Sequence, residues 1–123
     1  MSASWGVRAG AALMLLDVAL GAFAAQGLKG RLAPESLAIW ETGARYQAYH
    51  ALALVLTGLL LSRAPSRAIA AAGWCFSIGI VLFSGSLYLL AVTGWRRLGM
   101  VTPLGGLAFL AGWALLAWSP PRF

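Results

Sequence analysis

The sequence predicts an all-α integral membrane protein with four antiparallel transmembrane helices, and three observations lead to this fold class. Hydrophobic residues make up 61% of the 123 residues and charged residues only 10%, whereas a soluble domain carries about 25% charged residues. Four long stretches of the chain contain a single charged side chain between them, that of Asp17, and a spanning helix needs about 20 apolar residues. Two of the three connections are short, which favours antiparallel packing of neighbours.

The four predicted spans form one transmembrane domain and cover about residues 7–25, 44–62, 68–92 and 99–118. Gly94 is predicted to end the third helix, and Trp95 is expected to lie at the membrane interface. Pairs of small residues four positions apart indicate where the helices approach one another closely. These pairs are Gly6 with Gly10, Gly73 with Ser77, and Ala108 with Gly112.

The first connection, residues 26–44, is predicted to be the only long loop. Pro34 is favourable as the first residue of a helix, and three apolar residues after it fall on one helical face: Leu37, Trp40 and Ala44. We interpret residues 34–43 as a short amphipathic helix at the membrane interface that bends at Gly43 into the second span. The alternative is one continuous helix from Pro34 to Leu61.

The net charge of +6 is explained by basic residues that flank the apolar stretches, where they would contact lipid headgroups. They form no stripe that would fit nucleic acid, so we expect the lipid bilayer as partner and no nucleic acid. Other membrane-protein subunits or a second copy of the chain are further possible partners. The orientation is not predicted, because five basic residues fall on the side of the first loop and four on the other. The first set is Lys29, Arg31, Arg45, Arg96 and Arg97, and the second is Arg8, Arg63, Arg67 and Arg122.

Polar side chains of all four spans are expected in the half of the membrane nearest the first loop. Counted from the predicted span ends at 1.5 Å per residue, Asp17 lies about 12 Å deep and His50 about 7 Å. The candidate polar cluster consists of Asp17, Tyr46, Tyr49, His50, Ser84, Tyr88 and Thr102. An ionisable group at mid-span is costly, so Asp17 is expected to face the bundle with a polar partner from another helix. Ser84, His50 and Tyr88 are the candidates.

Three interpretations of this cluster compete: a set of hydrogen bonds that holds the helices in register, a path for protons or small solutes, and an enzyme. Asp17, His50 and Ser84 or Ser86 contain the elements of a catalytic triad, but no G-x-S-x-G motif accompanies them. One histidine and one cysteine are too few for a zinc site, and one histidine offers a haem only one axial ligand. We therefore favour a non-enzymatic protein without a cofactor.

Four segments resemble the signature segments of the YgdD-like family of small bacterial inner-membrane proteins of unknown function. They are residues 21–29 (GAFAAQGLK), 46–54 (YQAYHALAL), 83–90 (FSGSLYLL) and 102–106 (TPLGG). The resemblance covers nearly the whole chain and implies four helices in the bacterial inner membrane, but it implies no activity. Gln26 stands where the family usually has a histidine, and an amide cannot titrate.

The departure at position 26 favours the structural interpretation over a proton relay that uses histidines. We expect a small non-enzymatic accessory or scaffold component of a membrane assembly. The alternative function is a channel or carrier for protons or small solutes, acting as an oligomer.

Overall fold

The computed structural model describes residues 1–118 and contains four helices in this range. Helix α1 spans Ala3–Leu28, α2 Pro34–Arg63, α3 Arg67–Thr93 and α4 Thr102–Trp118. A 3-10 turn, Arg96–Met100, leads into α4. Within the described residues an isolated bridge between Lys29 and Leu32 is the only β-type pairing, so the predicted all-helical fold is confirmed. Arg122, included in the charge count above, lies outside the described residues.

The ends of the helices follow local rules. Ser2 and Ser66 accept hydrogen bonds from backbone N–H groups three residues later, at the starts of α1 and α3. Pro34 stands at the first position of α2, where its missing N–H costs nothing. Gly94 adopts the left-handed conformation, with φ at 69°, directly after α3, as predicted.

The predicted long loop and its separate interfacial helix are wrong. Helix α1 continues to Leu28, so that only residues 29–33 connect it to α2, and α2 runs without a break through Gly43. The continuous helix, which the sequence left open as the alternative, is the one that forms.

The contacts of Trp40 explain why the helix packs against its neighbours instead of lying at the membrane interface. The indole is buried, its Nε1 donates a 2.8 Å hydrogen bond to the carbonyl oxygen of Leu20 in α1, and its ring packs on Tyr88 of α3 at a centroid distance of 4.7 Å. The apolar face that we assigned to the membrane interface therefore packs against two neighbouring helices. Gly43 is a contact point, since a Cβ atom there would lie 3.1 Å from Cε1 of Tyr88 and 3.3 Å from the carbonyl oxygen of Ser84.

Helix α2 occupies the centre of the bundle. It packs against α1 on one side and α3 on the other, and α4 packs against α3. Eleven residues of α2 are buried, whereas only 6% of the most apolar part of α1 is buried. Three helices, α1, α3 and α4 with its preceding turn, are long and apolar enough to cross a membrane. Helix α2 falls outside that set; its Gln47, His50 and Thr57 are buried, whereas its charged residues are exposed.

Close contacts between helices occur at glycines. In α1, Gly6 and Gly10 lie against Gly58 and Val55 of α2, as their spacing predicted. In α3 and α4, Gly79 lies against Phe109, and Gly112 against Phe76. Small residues let helix backbones approach closely. In lipid the hydrophobic effect does not drive helices together, so this close packing holds them instead.

Both α1 and α3 contain a π-helical turn that the sequence did not predict. The turns are Ala19–Ala24 and Ile80–Ser84. A π turn holds one residue more than an α turn and changes which side chains face a neighbour. Each turn contains a residue that bonds to α2, Leu20 in the first and Ser84 in the second.

We expect Gly10→Ala to lower the stability of the bundle. The added Cβ would meet Cγ2 of Val55 at 2.6 Å and the carbonyl oxygen of Ala51 at 2.7 Å, and the backbone of α2 cannot yield as a flexible side chain would. Overpacking of this kind costs about 1–3 kcal/mol. Thermal unfolding in detergent measures the loss. Gly27→Ala is the matched control on the same helix, because no atom lies within 4 Å of its Cβ position; equal melting temperatures of the two variants would contradict the packing described here.

Candidate functional site

Gln47 links three helices through its side-chain amide. Its Nε2 donates to the carbonyl oxygen of Leu13 in α1 at 2.9 Å, and its Oε1 accepts from the hydroxyl of Tyr88 in α3 at 2.7 Å. The side chain is only 2% exposed. Because a buried amide without partners is costly, this pair of bonds fixes how α1 and α3 are rotated relative to α2.

Ser84 makes a second buried link between α2 and α3. Its hydroxyl donates to the carbonyl oxygen of Gly43 at 2.7 Å, and the serine is fully buried. Together with Trp40, Gln47 and Tyr88, it forms a hydrogen-bonded group that we call the α1–α3 network. Each of these bonds joins two helices.

His50 has a hydrogen-bond partner for each of its ring nitrogens. Nδ1 lies 2.7 Å from the carbonyl oxygen of Tyr46, and Nε2 accepts from Nε1 of Trp113 in α4 at 3.0 Å. A carbonyl oxygen only accepts and an indole N–H only donates, so these two partners assign the proton to Nδ1 and make the imidazole neutral. The ring is 4% exposed.

Aromatic rings enclose His50 on the α4 side. Phe109 stacks on the imidazole at a centroid distance of 3.5 Å with the planes inclined by 9°, and Phe76 lies 5.7 Å away. Tyr46 and Tyr49 are exposed at the edge of this group. They border a groove of about 760 Å³ between α2 and α4 in which His50 and Trp113 form part of the wall. We call it the α2–α4 groove.

The depth predicted for His50 is wrong. Its neighbour Ala51 packs with Ile80 and Phe109, and Ile80 is the midpoint of α3. His50 therefore lies near the middle of the bundle instead of one turn from its end. The depth was counted from Arg45 as though the helix began there, but α2 begins at Pro34.

The candidate residues occupy separate positions. Ser84 and Tyr88 belong to the α1–α3 network, while His50, Tyr46 and Tyr49 lie at the α2–α4 groove. Thr102 contacts neither set; its hydroxyl lies 2.6 Å from that of Ser86 and joins α3 to α4.

Asp17 directs a carboxylate oxygen into the protein, as expected, but the polar partner expected for it is absent from the described residues. Within residues 1–118, Oδ1 of Asp17 is buried and has no hydrogen-bond partner. The three candidates bond elsewhere: Ser84 to Gly43, Tyr88 to Gln47, and His50 to Tyr46 and Trp113. The rotation of α1 brings the carbonyl of Leu13, one turn earlier, to Gln47 and leaves the carboxylate beside Gly21, with Oδ2 3.9 Å from that glycine's Cβ position.

Gln47 and Trp113 were missed by sequence reasoning, although signals for both exist. Gln47 precedes His50 by three residues and so shares its helical face. Trp113 lies well inside the last apolar stretch, away from the interface where tryptophan is common, and an indole N–H away from water usually requires an acceptor. Among the described residues, no three His, Cys, Asp or Glu side chains lie close enough together to hold a metal ion.

The apolar helices and the buried hydrogen bonds between them define a small helical membrane protein. The chain belongs to a family of proteins of unknown function (DUF423), whose family model matches residues 20–106. It is 45% identical over 114 residues to a UPF0382 membrane protein of Staphylococcus haemolyticus, covering 93% of each chain. It is 46% identical over 108 residues to the UPF0382 membrane protein YwdK of Bacillus subtilis, covering 87% of this chain and 88% of the relative. No solved structure matches.

These relatives indicate that the chain is a bacterial membrane protein from a family without an assigned activity. The resemblance described above agrees with this result in kind, as both point to uncharacterised membrane proteins.

A double-mutant cycle tests the hydrogen bond between His50 and Trp113. His50→Leu strands the indole N–H and Trp113→Phe strands Nε2, so each single variant is expected to unfold more easily. The double variant removes both partners and should lose less stability than the sum of the two. We expect a coupling energy of about 0.6 kcal/mol, and at most about 1.7 kcal/mol, in thermal unfolding in detergent. Trp118→Phe with His50→Leu is the control pair and should be additive, because Trp118 is 81% exposed; additivity in both pairs would refute the bond.

Proposed function

We propose that all four helices cross the bacterial inner membrane, α2 included. Helix α2 is 30 residues long, or about 45 Å at 1.5 Å per residue, against about 30 Å for the hydrocarbon core. Three of its polar side chains, Gln47, His50 and Thr57, are buried, and the large apolar side chains that it exposes after His50 are leucines: Leu52, Leu56 and Leu59. These polar residues and the charged residues near its start lower the mean hydropathy of α2.

Labelling of single cysteines tests the four-span arrangement. In a Cys75→Ala background, Arg31→Cys and Pro65→Cys flank α2, and Trp95→Cys follows α3. If α2 crosses the membrane, an impermeant maleimide applied to one side labels positions 31 and 95 together and position 65 only from the other side. Labelling of 31 and 65 from the same side would exclude a spanning α2.

We propose that the protein is a non-enzymatic structural component of a larger membrane assembly. The observation that supports this is that each ring nitrogen of His50 has a hydrogen-bond partner that fits a neutral imidazole. A second ring proton would have to sit on Nε2, where it would point at the N–H of Trp113 and break a 3.0 Å hydrogen bond. The polar atoms of Gln47, Ser84 and Tyr88 are likewise engaged in bonds between helices, which suits a rigid bundle better than a path for protons.

The outward face of α1 is the proposed contact surface for other subunits. Its exposed side chains combine small and large apolar residues: Ala11, Ala12, Leu15, Leu16, Ala19, Ala22 and Phe23. Alternation of this kind lets a neighbouring helix approach closely at the alanines in lipid. The rest of the bundle covers little of this face, since α1 packs mainly against α2.

A channel or carrier for protons or small solutes, acting as an oligomer, is the second candidate. One observation favours it: Oδ1 of Asp17 is buried and has no hydrogen-bond partner in the described part of the chain. Ionisable residues in spanning segments commonly mark ion pathways, and a second copy of the chain would have to supply the remainder of the route.

Purification in mild detergent distinguishes the two functions. If the protein is a structural component, it should copurify with a defined set of other membrane proteins. Ala12→Leu should remove at least most of that set, because it enlarges a small residue on the outer face of α1. Ala111→Leu makes the same change at an exposed position of α4 and should retain the set.

The opposite result has its own signature. A protein that purifies only with itself, drives proton uptake into liposomes, and loses uptake in Asp17→Asn and His50→Gln at unchanged melting temperature would establish the second function and overturn the first.

A further inference from the structure

The α2–α4 groove is an open apolar surface feature of about 760 Å³, lined by residues of α2 and α4 together with Phe83 of α3. Tyr46, Tyr49, Phe83, Pro103, Leu107 and Leu110 line its sides, and its surface is almost entirely apolar. It follows α4 from Pro103 to Trp113, a rise of about 15 Å at 1.5 Å per residue. This is half of a hydrocarbon core of about 30 Å, so the groove is as long as one leaflet is deep.

The end of the groove at Pro103, nearest the connection between α3 and α4, carries positive charge. Arg45 precedes Tyr49 by four residues and so lies one turn nearer that end on the same side of α2. Arg96 and Arg97 form the turn that leads into α4, a few residues before Pro103. All three arginines are exposed.

One described carboxylate, that of Glu41, lies one turn before Arg45 in α2. The chain has three acidic residues, and none follows Glu41. Asp17 belongs to α1, which does not contribute to the groove, and Glu35 lies in the first turn of α2. Glu41 lines a different recess, between α1 and α2, together with Gln26 and Lys29. The groove therefore combines an apolar wall with a basic end.

The position of Arg45 relates this charge to the membrane. Its neighbour Ala44 lies against Gly21, which is seven residues, or about 10 Å, before the end of α1. The 26 residues of α1 extend about 39 Å, or roughly 4–5 Å beyond a hydrocarbon core of about 30 Å at each end. Arg45 thus lies about 6 Å inside the boundary of the core, from where a long basic side chain extends toward the headgroups.

We infer that the α2–α4 groove binds one anionic phospholipid, with an acyl chain along Tyr49 and Leu107 and the phosphate held by Arg45 together with Arg96 and Arg97. The length of the groove matches one leaflet, and the charge at its end matches an anionic headgroup. A partner helix would satisfy the apolar wall but would leave the three arginines without an anion. This lipid site is independent of the function proposed above.

Native mass spectrometry of the full chain in detergent micelles tests the inference with phosphatidylglycerol and phosphatidylcholine as probes. We expect one phosphatidylglycerol to remain bound to the wild-type protein and phosphatidylcholine to bind several-fold more weakly. Arg45→Gln should weaken phosphatidylglycerol binding about fivefold, from about 1 kcal/mol for one basic residue near an anionic headgroup. Arg63→Gln, at the far end of α2, should leave binding unchanged.

A second pair of variants tests the apolar part of the site. Leu107→Trp fills the groove and should abolish retention of the lipid, whereas Leu104→Trp changes a similarly exposed leucine of α4 outside the groove and should not. Melting temperatures without lipid check that both variants are folded. Three results would each overturn the inference. They are equal binding of both lipids, an equal rise in melting temperature with inorganic phosphate and with phosphatidylglycerol, and a dimer that Leu107→Trp dissociates.

Discussion

The amide of Gln47 is the interaction on which the arrangement of the first three helices depends. It contacts α1 through Leu13 and α3 through Tyr88 while being buried itself. Away from water, both of its ends must be paired, so α1 and α3 can each take only one rotation about α2. Glycines then set the separation, because Gly10 and Gly58 leave no room for a Cβ atom between α1 and α2. Hydrogen bonds thus fix orientation and small residues fix distance.

The π-helical turns adapt the outer helices to these bonds. The carbonyl oxygen of Leu20 accepts from the N–H of Ala25 in the first turn and also from the indole of Trp40. The second turn ends at Ser84, whose hydroxyl bonds to Gly43. A wider turn can offer a carbonyl or side chain that a regular α-helix would direct elsewhere. Each outer helix departs from α geometry near its contact with α2.

The all-helical fold could be predicted from the sequence because long apolar stretches between charged clusters have few other solutions. The first connection could not, since the apolar face around Trp40 suits a membrane interface as well as two neighbouring helices. Ser84, Tyr88 and His50 were identifiable as polar groups in apolar surroundings, but their partners were not. Pairing depends on helix rotation, and the rotation that brings Leu13 to Gln47 leaves Asp17 without the partner expected for it.

Hydropathy identifies the helices that face lipid more readily than the helix at the centre. The flanking helix α1 buries only 6% of its most apolar part, whereas α2 buries Gln47, His50 and Thr57 and is the least apolar of the four. A central helix is surrounded by protein, so it can carry polar groups provided that each is paired. Thr57 is paired within its own helix. Its hydroxyl donates to the carbonyl oxygen of Ala53, so no other helix needs to supply a partner. The polarity of α2 is therefore a consequence of its central position and of the hydrogen bonds it makes there.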